Sequence, residues 1–130
     1  MKDTLIKNTP FSCVVAASFF VAAVTASAQF TLIPAGSVWR YLDNGTDQGT
    51  AWQARIFDDS LWSSGPAQLG YGDGDEATVV SFGPNATSKY ITTYFRRSSG
   101  ATNASQVTNF VLRLLADDGA VVYLNGTEVM

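Results

Sequence analysis

The sequence predicts an all-β sandwich, and three observations predict it. Short runs of β-branched and aromatic residues recur along the chain, punctuated by Gly, Pro and Asn clusters. Thirteen of the aromatic residues and all 11 glycines fall after residue 28, a mixture of large flat side chains and turn formers that suits stacked sheets. Gly65-Pro66, Gly70, Gly72 and Gly74 then make a long helix through the middle of the chain improbable.

The first 28 residues stand apart. Lys2 and Lys7 lead into an apolar run over residues 11–24, too short to span a bilayer comfortably, and Ala26-Ser27-Ala28 offers a small-x-small cleavage site. Residues 1–28 therefore read as a signal peptide and residues 29–130 as the mature module. Cys13 lies inside the apolar run without the lead residues of a lipoprotein anchor, and it leaves with the leader. Of the 130 residues, 102 remain, with a formal charge of −4 and no thiol. The module must be held by its core or by an ion, since no disulfide can form.

Along the mature chain, residues 30–33 and 38–42 read as strands separated by the turn cluster Pro34-Ala35-Gly36. Asn44-Gly45 marks a turn. Residues 49–74 lose their alternation and read as a wandering connection with buried aromatic pins. Strand signals return over residues 78–82, stop at Gly83-Pro84-Asn85 and resume over residues 89–97. Residues 108–115 form the clearest apolar run, with Phe110, Leu112 and Leu114 on one face and Val111, Arg113 and Leu115 on the other. After Asp117-Asp118-Gly119, where Gly119 is expected to supply the positive φ, residues 121–124 return as a strand that turns at Asn125-Gly126. The sequence stops where the hairpin partner begins. An antiparallel sandwich ending there leaves an open edge, so the chain is expected to be the N-terminal portion of a longer protein, with its closing strands missing and further domains attached downstream.

Composition excludes several functions. Across all 130 residues there is no His, which removes Ser-His-Asp and Cys-His couples, His-ligated zinc and an imidazole base. A charge of −3 argues against a nucleic-acid partner. After leader cleavage no membrane segment remains.

Three stretches carry a family resemblance. Phe57-Asp58-Asp59-Ser60-Leu61-Trp62 resembles an element near the start of galactose-binding-like jelly rolls, such as the sugar-binding domains of the β-galactosidase and glucuronidase families. Asp117-Asp118-Gly119-Ala120-Val121-Val122-Tyr123-Leu124-Asn125-Gly126 resembles a hairpin of the same folds, and its Asp-Asp-Gly loop is similar to the calcium-dependent sugar site of PA14-like adhesin domains. Gly65-Pro66-Ala67-Gln68-Leu69-Gly70-Tyr71-Gly72-Asp73-Gly74-Asp75 is similar to a repeated segment of large secreted bacterial proteins, where it accompanies metallophosphoesterase, spore-coat-kinase-like or lamin-tail-like regions. The resemblance implies a jelly-roll accessory module, secreted, periplasmic or on the cell surface. It does not imply the chemistry of the neighbouring domain.

The candidate sites follow from the loops. Asp117 and Asp118 could hold calcium with help from Asn125, although Asp-Asp-Gly is also good hairpin chemistry by itself. Asp73, Asp75 and Glu76 form a second acidic cluster and Asp43 with Asp47 a third; both fail the EF-hand frame and read as solvated loop charge. Trp39, Trp52, Trp62, Tyr41, Tyr71 and Tyr94 offer flat faces for sugar rings, but large aromatics are needed first to fill a core. Trp39 and Trp62 are assigned to the core, and Tyr71, between two glycines, is expected to be the exposed platform. Arg96 and Arg97 point to opposite faces of a strand, so they make no single clamp, and at least one is a surface ion-pair partner. Four sequons at Asn44, Asn85, Asn103 and Asn125 sit in turns and are expected to stay unmodified. The expected function is noncatalytic binding of a glycan or attachment; the alternatives are a ligand-free spacer appended to a secreted hydrolase such as a metallophosphoesterase, or a small hydrolase using paired carboxylates.

Overall fold

The computed structural model describes residues 30–102 and 104–130; the leader over residues 1–28 and the sequon at Asn103 lie outside the described residues. Among the described residues the chain is all-β, with seven short strands and single 3-10 turns at Ala51–Gln53 and Ala104–Gln106. The strands are β1 (Val38–Leu42), β2 (Ser63–Pro66), β3 (Leu69–Gly70), β4 (Thr78–Val79), β5 (Tyr94–Arg96), β6 (Tyr123–Leu124) and β7 (Thr127–Glu128). They form three small sheets: β2-β1-β5, β3-β4 and β6-β7. Among the described residues no helix is long and apolar enough to cross a membrane.

β1 is the centre of the largest sheet and pairs antiparallel on both sides, with Arg40 opposite Ser64 of β2 and opposite Arg96 of β5. Its sequence, Val-Trp-Arg-Tyr-Leu, is the richest in β-formers of the seven, and its bounds match the expected strand. Gly36, at φ +78°, and the bond from Ser37 N–H to the Pro34 carbonyl make the turn that launches it.

The partner on one side is a surprise of composition. β2 reads Ser-Ser-Gly-Pro and lies inside the segment expected to wander. Two facts place it there. It is an edge strand, where Pro66 removes no ladder bond on its open side. Gly65 is buried against Thr78, whose side chain a Cβ on Gly65 would strike. β3 and β4 differ from the antiparallel expectation by pairing in parallel, which residues 71–77 can connect because each strand contributes only two residues.

The core lies on the face of the β2-β1-β5 sheet that carries Leu42, Tyr94 and Arg96. Trp62 is buried there, 6% exposed, edge-on to Phe57 at 5.7 Å and tilted against Tyr94 at 6.2 Å. Trp52 meets Tyr94 at 5.1 Å and Tyr123 at 5.5 Å, both edge-on. Trp39, expected in this core, is instead half-buried, because the alternation of β1 turns it to the opposite face from Arg40.

Arg96 straps the aromatic group together. Its Nε donates to Asp59 Oδ2 at 3.0 Å, Nη1 to the Trp52 carbonyl and Nη2 to the Ala54 carbonyl at 3.2 Å, while the guanidinium stacks over Phe57 at 5.1 Å. A surface ion pair is expected of one member of the Arg96-Arg97 couple; the pair that Arg96 forms with Asp59 is instead part-buried.

Two expected strands do not form. Residues 30–33 join no ladder among the described residues. Residues 107–116 form no strand and join no ladder among the described residues, with Phe110 50% and Leu115 79% exposed. The physical reason lies in the pattern itself: a strand apolar on both faces needs cover on both, and no described layer reaches it. Beyond it, Asn125 at φ +53° and Gly126 at φ +86° close the β6–β7 hairpin as a type I′ turn demands. Bonds from Val122 N–H to the Met130 carbonyl and from Val129 N–H to the Val122 carbonyl, 2.7 and 2.8 Å, lengthen that ladder to the last residue.

Candidate functional site

An open cleft of about 510 Å³ lies between the loop that follows β1 and the segment that leads into β5. Its first wall is held by short polar side chains that bond to their own backbone. Asn44 Oδ1 accepts from the Thr46 N–H and hydroxyl at 3.0 and 2.7 Å, Gln48 donates to Thr46 Oγ1 at 2.8 Å, and Asp47 Oδ1 accepts the Gly49 N–H at 2.8 Å. Asp43 pins the base of the loop through the Ser81 N–H at 2.6 Å. Thr46 and Asp47 are thereby presented to the cleft on a loop with little freedom.

The opposite wall carries Ser88, Lys89, Tyr90, Thr92 and Tyr94. Tyr90 N–H bonds the Phe82 carbonyl at 2.9 Å, and its ring lies against the backbones of Gly45 and Gly83. Neither glycine tolerates a side chain, since a Cβ would meet the ring and both have positive φ. The Tyr94 hydroxyl donates to Asp47 Oδ1 at 3.4 Å and accepts the Gln48 N–H at 3.2 Å, so it joins the two walls. The cleft thus offers two phenol rings, hydroxyls, an ammonium and one carboxylate. A glycosidase needs two carboxylates astride the scissile bond, and among the described lining residues Asp47 is alone.

Tyr71 stands next to this cleft in a different state from the one expected. It is half-buried, tilted against Phe82 at 5.2 Å, and the Lys89 ammonium covers its ring at 4.7 Å. The ring is therefore a seat for a cleft lysine more than an open platform.

Asp117 and Asp118 lie in an exposed turn, where the Asp118 N–H bonds Asp117 Oδ1 at 2.9 Å. Asp118 takes the left-handed conformation at φ +68°, the role expected of Gly119; an aspartate tolerates it through such local bonding. Asn125 sits in the β6–β7 turn, and among the described residues no hydrogen bond joins it to either aspartate. Asp73, Asp75 and Glu76 bring ligand atoms within 4.8 Å of one another. Glu76 already spends both oxygens, accepting the Asp73 N–H at 2.9 Å and the Gly74 N–H at 3.0 Å. Those bonds hold its carboxyl below its ordinary pKa of 4.5, with the Asp73 N–H the largest cause.

Every conspicuous residue of the Phe57 to Trp62 motif has a structural task. Phe57 and Trp62 pack together, Asp59 pairs with Arg96, and Asp58 Oδ1 accepts the Ser60 N–H at 3.0 Å, which lowers the Asp58 pKa. Sequence reasoning passed over Lys89, Tyr90 and Thr92 as cleft residues because residues 89–97 read as one continuous strand. The ladder begins only at Tyr94, which frees the preceding residues to line the cleft. Comparison with protein-family models, curated proteins and solved structures finds no match to this chain.

Proposed function

We propose that the chain is a noncatalytic accessory module of jelly-roll type, carried by a secreted or surface protein, and that it binds carbohydrate in the cleft between residues 45–47 and 88–94. The observation that carries the reading is the composition of that cleft: the Tyr90 and Tyr94 phenols line it, and Thr46, Asp47, Lys89 and Thr92 supply the donors and acceptors that orient hydroxyl groups. Its openness to solvent and lone carboxylate favour retention over hydrolysis. Calcium at Asp117 and Asp118, with Asn125 nearby in the sequence, remains part of the proposal as a second contact to ligand.

Affinity electrophoresis against a panel of neutral polysaccharides tests it, run with calcium and with chelator. Asp47→Asn and Lys89→Ala are each expected to weaken retention by roughly ten- to a hundredfold, the range for losing one hydrogen bond to a charged group. Loss of retention in chelator assigns the Asp117-Asp118 loop a part. Silence across the panel removes the binding role and leaves the ligand-free spacer.

A further inference from the structure

A second cleft, of about 360 Å³, opens on the same sheet at the end where β1 begins. Ser64, Arg40 and Arg96 form one row across β2, β1 and β5, facing the same side; Arg97 and Ser98 lie past the last residue of β5, outside its alternation, so that, contrary to the expectation that Arg96 and Arg97 face apart, Arg97 lines the same cleft beside Val38. Asp59 is the single carboxylate among the described lining residues, and Arg96 holds it at 3.0 Å. Three guanidinium groups and one carboxylate therefore share the cleft on a chain whose formal charge is −3.

Two features of this arrangement lack a structural purpose. Arg40 and Arg96 are directly opposite each other on neighbouring strands, a like-charge pairing that disfavours the sheet. Arg97 bonds the Val38 carbonyl through Nη1, yet its Nε is buried with no acceptor among the described residues. Arg96 bonds through all three of its nitrogens, as described above. Arg40 and Arg97 each make one bond among the described residues, Arg40 through Nη1 to the Trp62 carbonyl at 3.1 Å, and keep the rest of their five N–H donors.

We propose that this cleft binds a carboxylate, in the form of a uronic acid unit of an acidic glycan, with Arg40 and Arg97 as the binding residues and Ser64 and Ser98 as hydroxyl partners. A planar carboxylate matches the guanidinium fork and gives Arg40 the counter-charge that Asp59, held by Arg96, does not supply. The choice of a saccharide as the carrier rests on the carbohydrate reading of the first cleft; the carboxylate chemistry does not.

The test measures binding of oligogalacturonate, of the neutral oligogalactose and of oligoglutamate to the whole chain by calorimetry at low and high salt. Wild type should bind the uronate at least tenfold tighter than the neutral sugar, and the difference should shrink as salt rises. Arg40→Gln and Arg97→Gln should each abolish that preference while leaving neutral-sugar retention, and its loss in Lys89→Ala, unchanged. Arg40→Lys, which keeps the charge and the fold but not the fork, should lose most of it, so the inference stays testable if a glutamine variant does not fold. Equal binding of the acidic and neutral sugars, or a preference that survives both arginine changes, overturns the site without touching the first cleft. Tighter binding of oligoglutamate overturns the saccharide assignment. Neutral-sugar retention absent beside an arginine-dependent uronate signal overturns the first cleft and leaves this one standing.

Discussion

Residues 38–98 and residues 107–130 are both rich in β-forming and apolar side chains, yet they end in opposite states. In the first, a five-residue central strand has neighbours on both sides, Trp62 is buried, and an arginine ties the connection between β1 and β2 to the sheet. In the second, the strongest apolar run of the mature chain has no ladder among the described residues, and order returns only in a two-stranded hairpin. Periodicity tells a segment which faces want cover. It does not provide the cover, and a strand's backbone groups are satisfied only by a neighbour in register.

The largest expected effect tests that contrast directly. Trp62→Ala should cost about 3–5 kcal/mol, as truncation of a buried aromatic does, because Phe57 and Tyr94 lose a shared neighbour. Leu115→Ser, at a side chain of similar hydrophobic character that is 79% exposed, should change stability by no more than about 0.5 kcal/mol while reducing self-association. Urea denaturation and light scattering check both arms. A Leu115→Ser cost comparable to that of Trp62→Ala would show that residues 107–116 are covered in solution and erase the comparison.

A smaller effect probes the joint between the regions. Tyr123 touches Trp52 at 5.5 Å, and a Cβ on Gly126 would lie 3.6 Å from the Gln53 carbonyl, so the hairpin leans on the first region near residues 52–53. Tyr123→Ala should remove about 0.5–1.5 kcal/mol of ring-to-ring contact. Amide exchange at Val122 and Val129 should accelerate while the β1 amides keep their protection. Uniform acceleration in both regions would mean that they unfold as one unit.

The same contrast explains what the sequence made legible. β1, the turn at Asn125-Gly126, the buried Trp62 and the all-β class follow from local pattern, since alternation, turn chemistry and bulk are properties of neighbours in sequence. β2 was not legible, because Ser-Ser-Gly-Pro becomes a strand only when β1 offers it an edge and Thr78 needs the space above Gly65. The run over residues 108–115 carried the clearest pattern and forms no ladder among the described residues, for the converse reason. The site residues divide in the same way. Tyr94 and Arg96 drew notice as residue types, but the neighbours that give them meaning, Asp47 and Asp59, are brought to them by long-range register.

The smallest expected effect lies in the acidic loop between β3 and β4, and it separates local capping from packing as a source of order in the first region. Glu76 accepts two backbone N–H groups, with the Asp73 and Asp75 carboxylates close by. The bond from the Asp73 N–H, with smaller help from the backbone N–H groups of Glu76 and Gly74, outweighs the slight desolvation that favours protonation, so the folded pKa lies below 4.5. A carboxyl with a depressed folded pKa stabilises fully above its unfolded value and loses that contribution as pH falls through the folded one. Wild type should therefore exceed Glu76→Gln in urea midpoint at pH 7, since glutamine offers a single acceptor oxygen, and the gap should close below about pH 4.5. Asp58, whose pKa is also lowered, titrates in both proteins and cancels from the difference. A gap that persists unchanged at low pH would show that Glu76 acts through its shape and contacts, and would move this loop from the class of self-capped turns to that of packed elements.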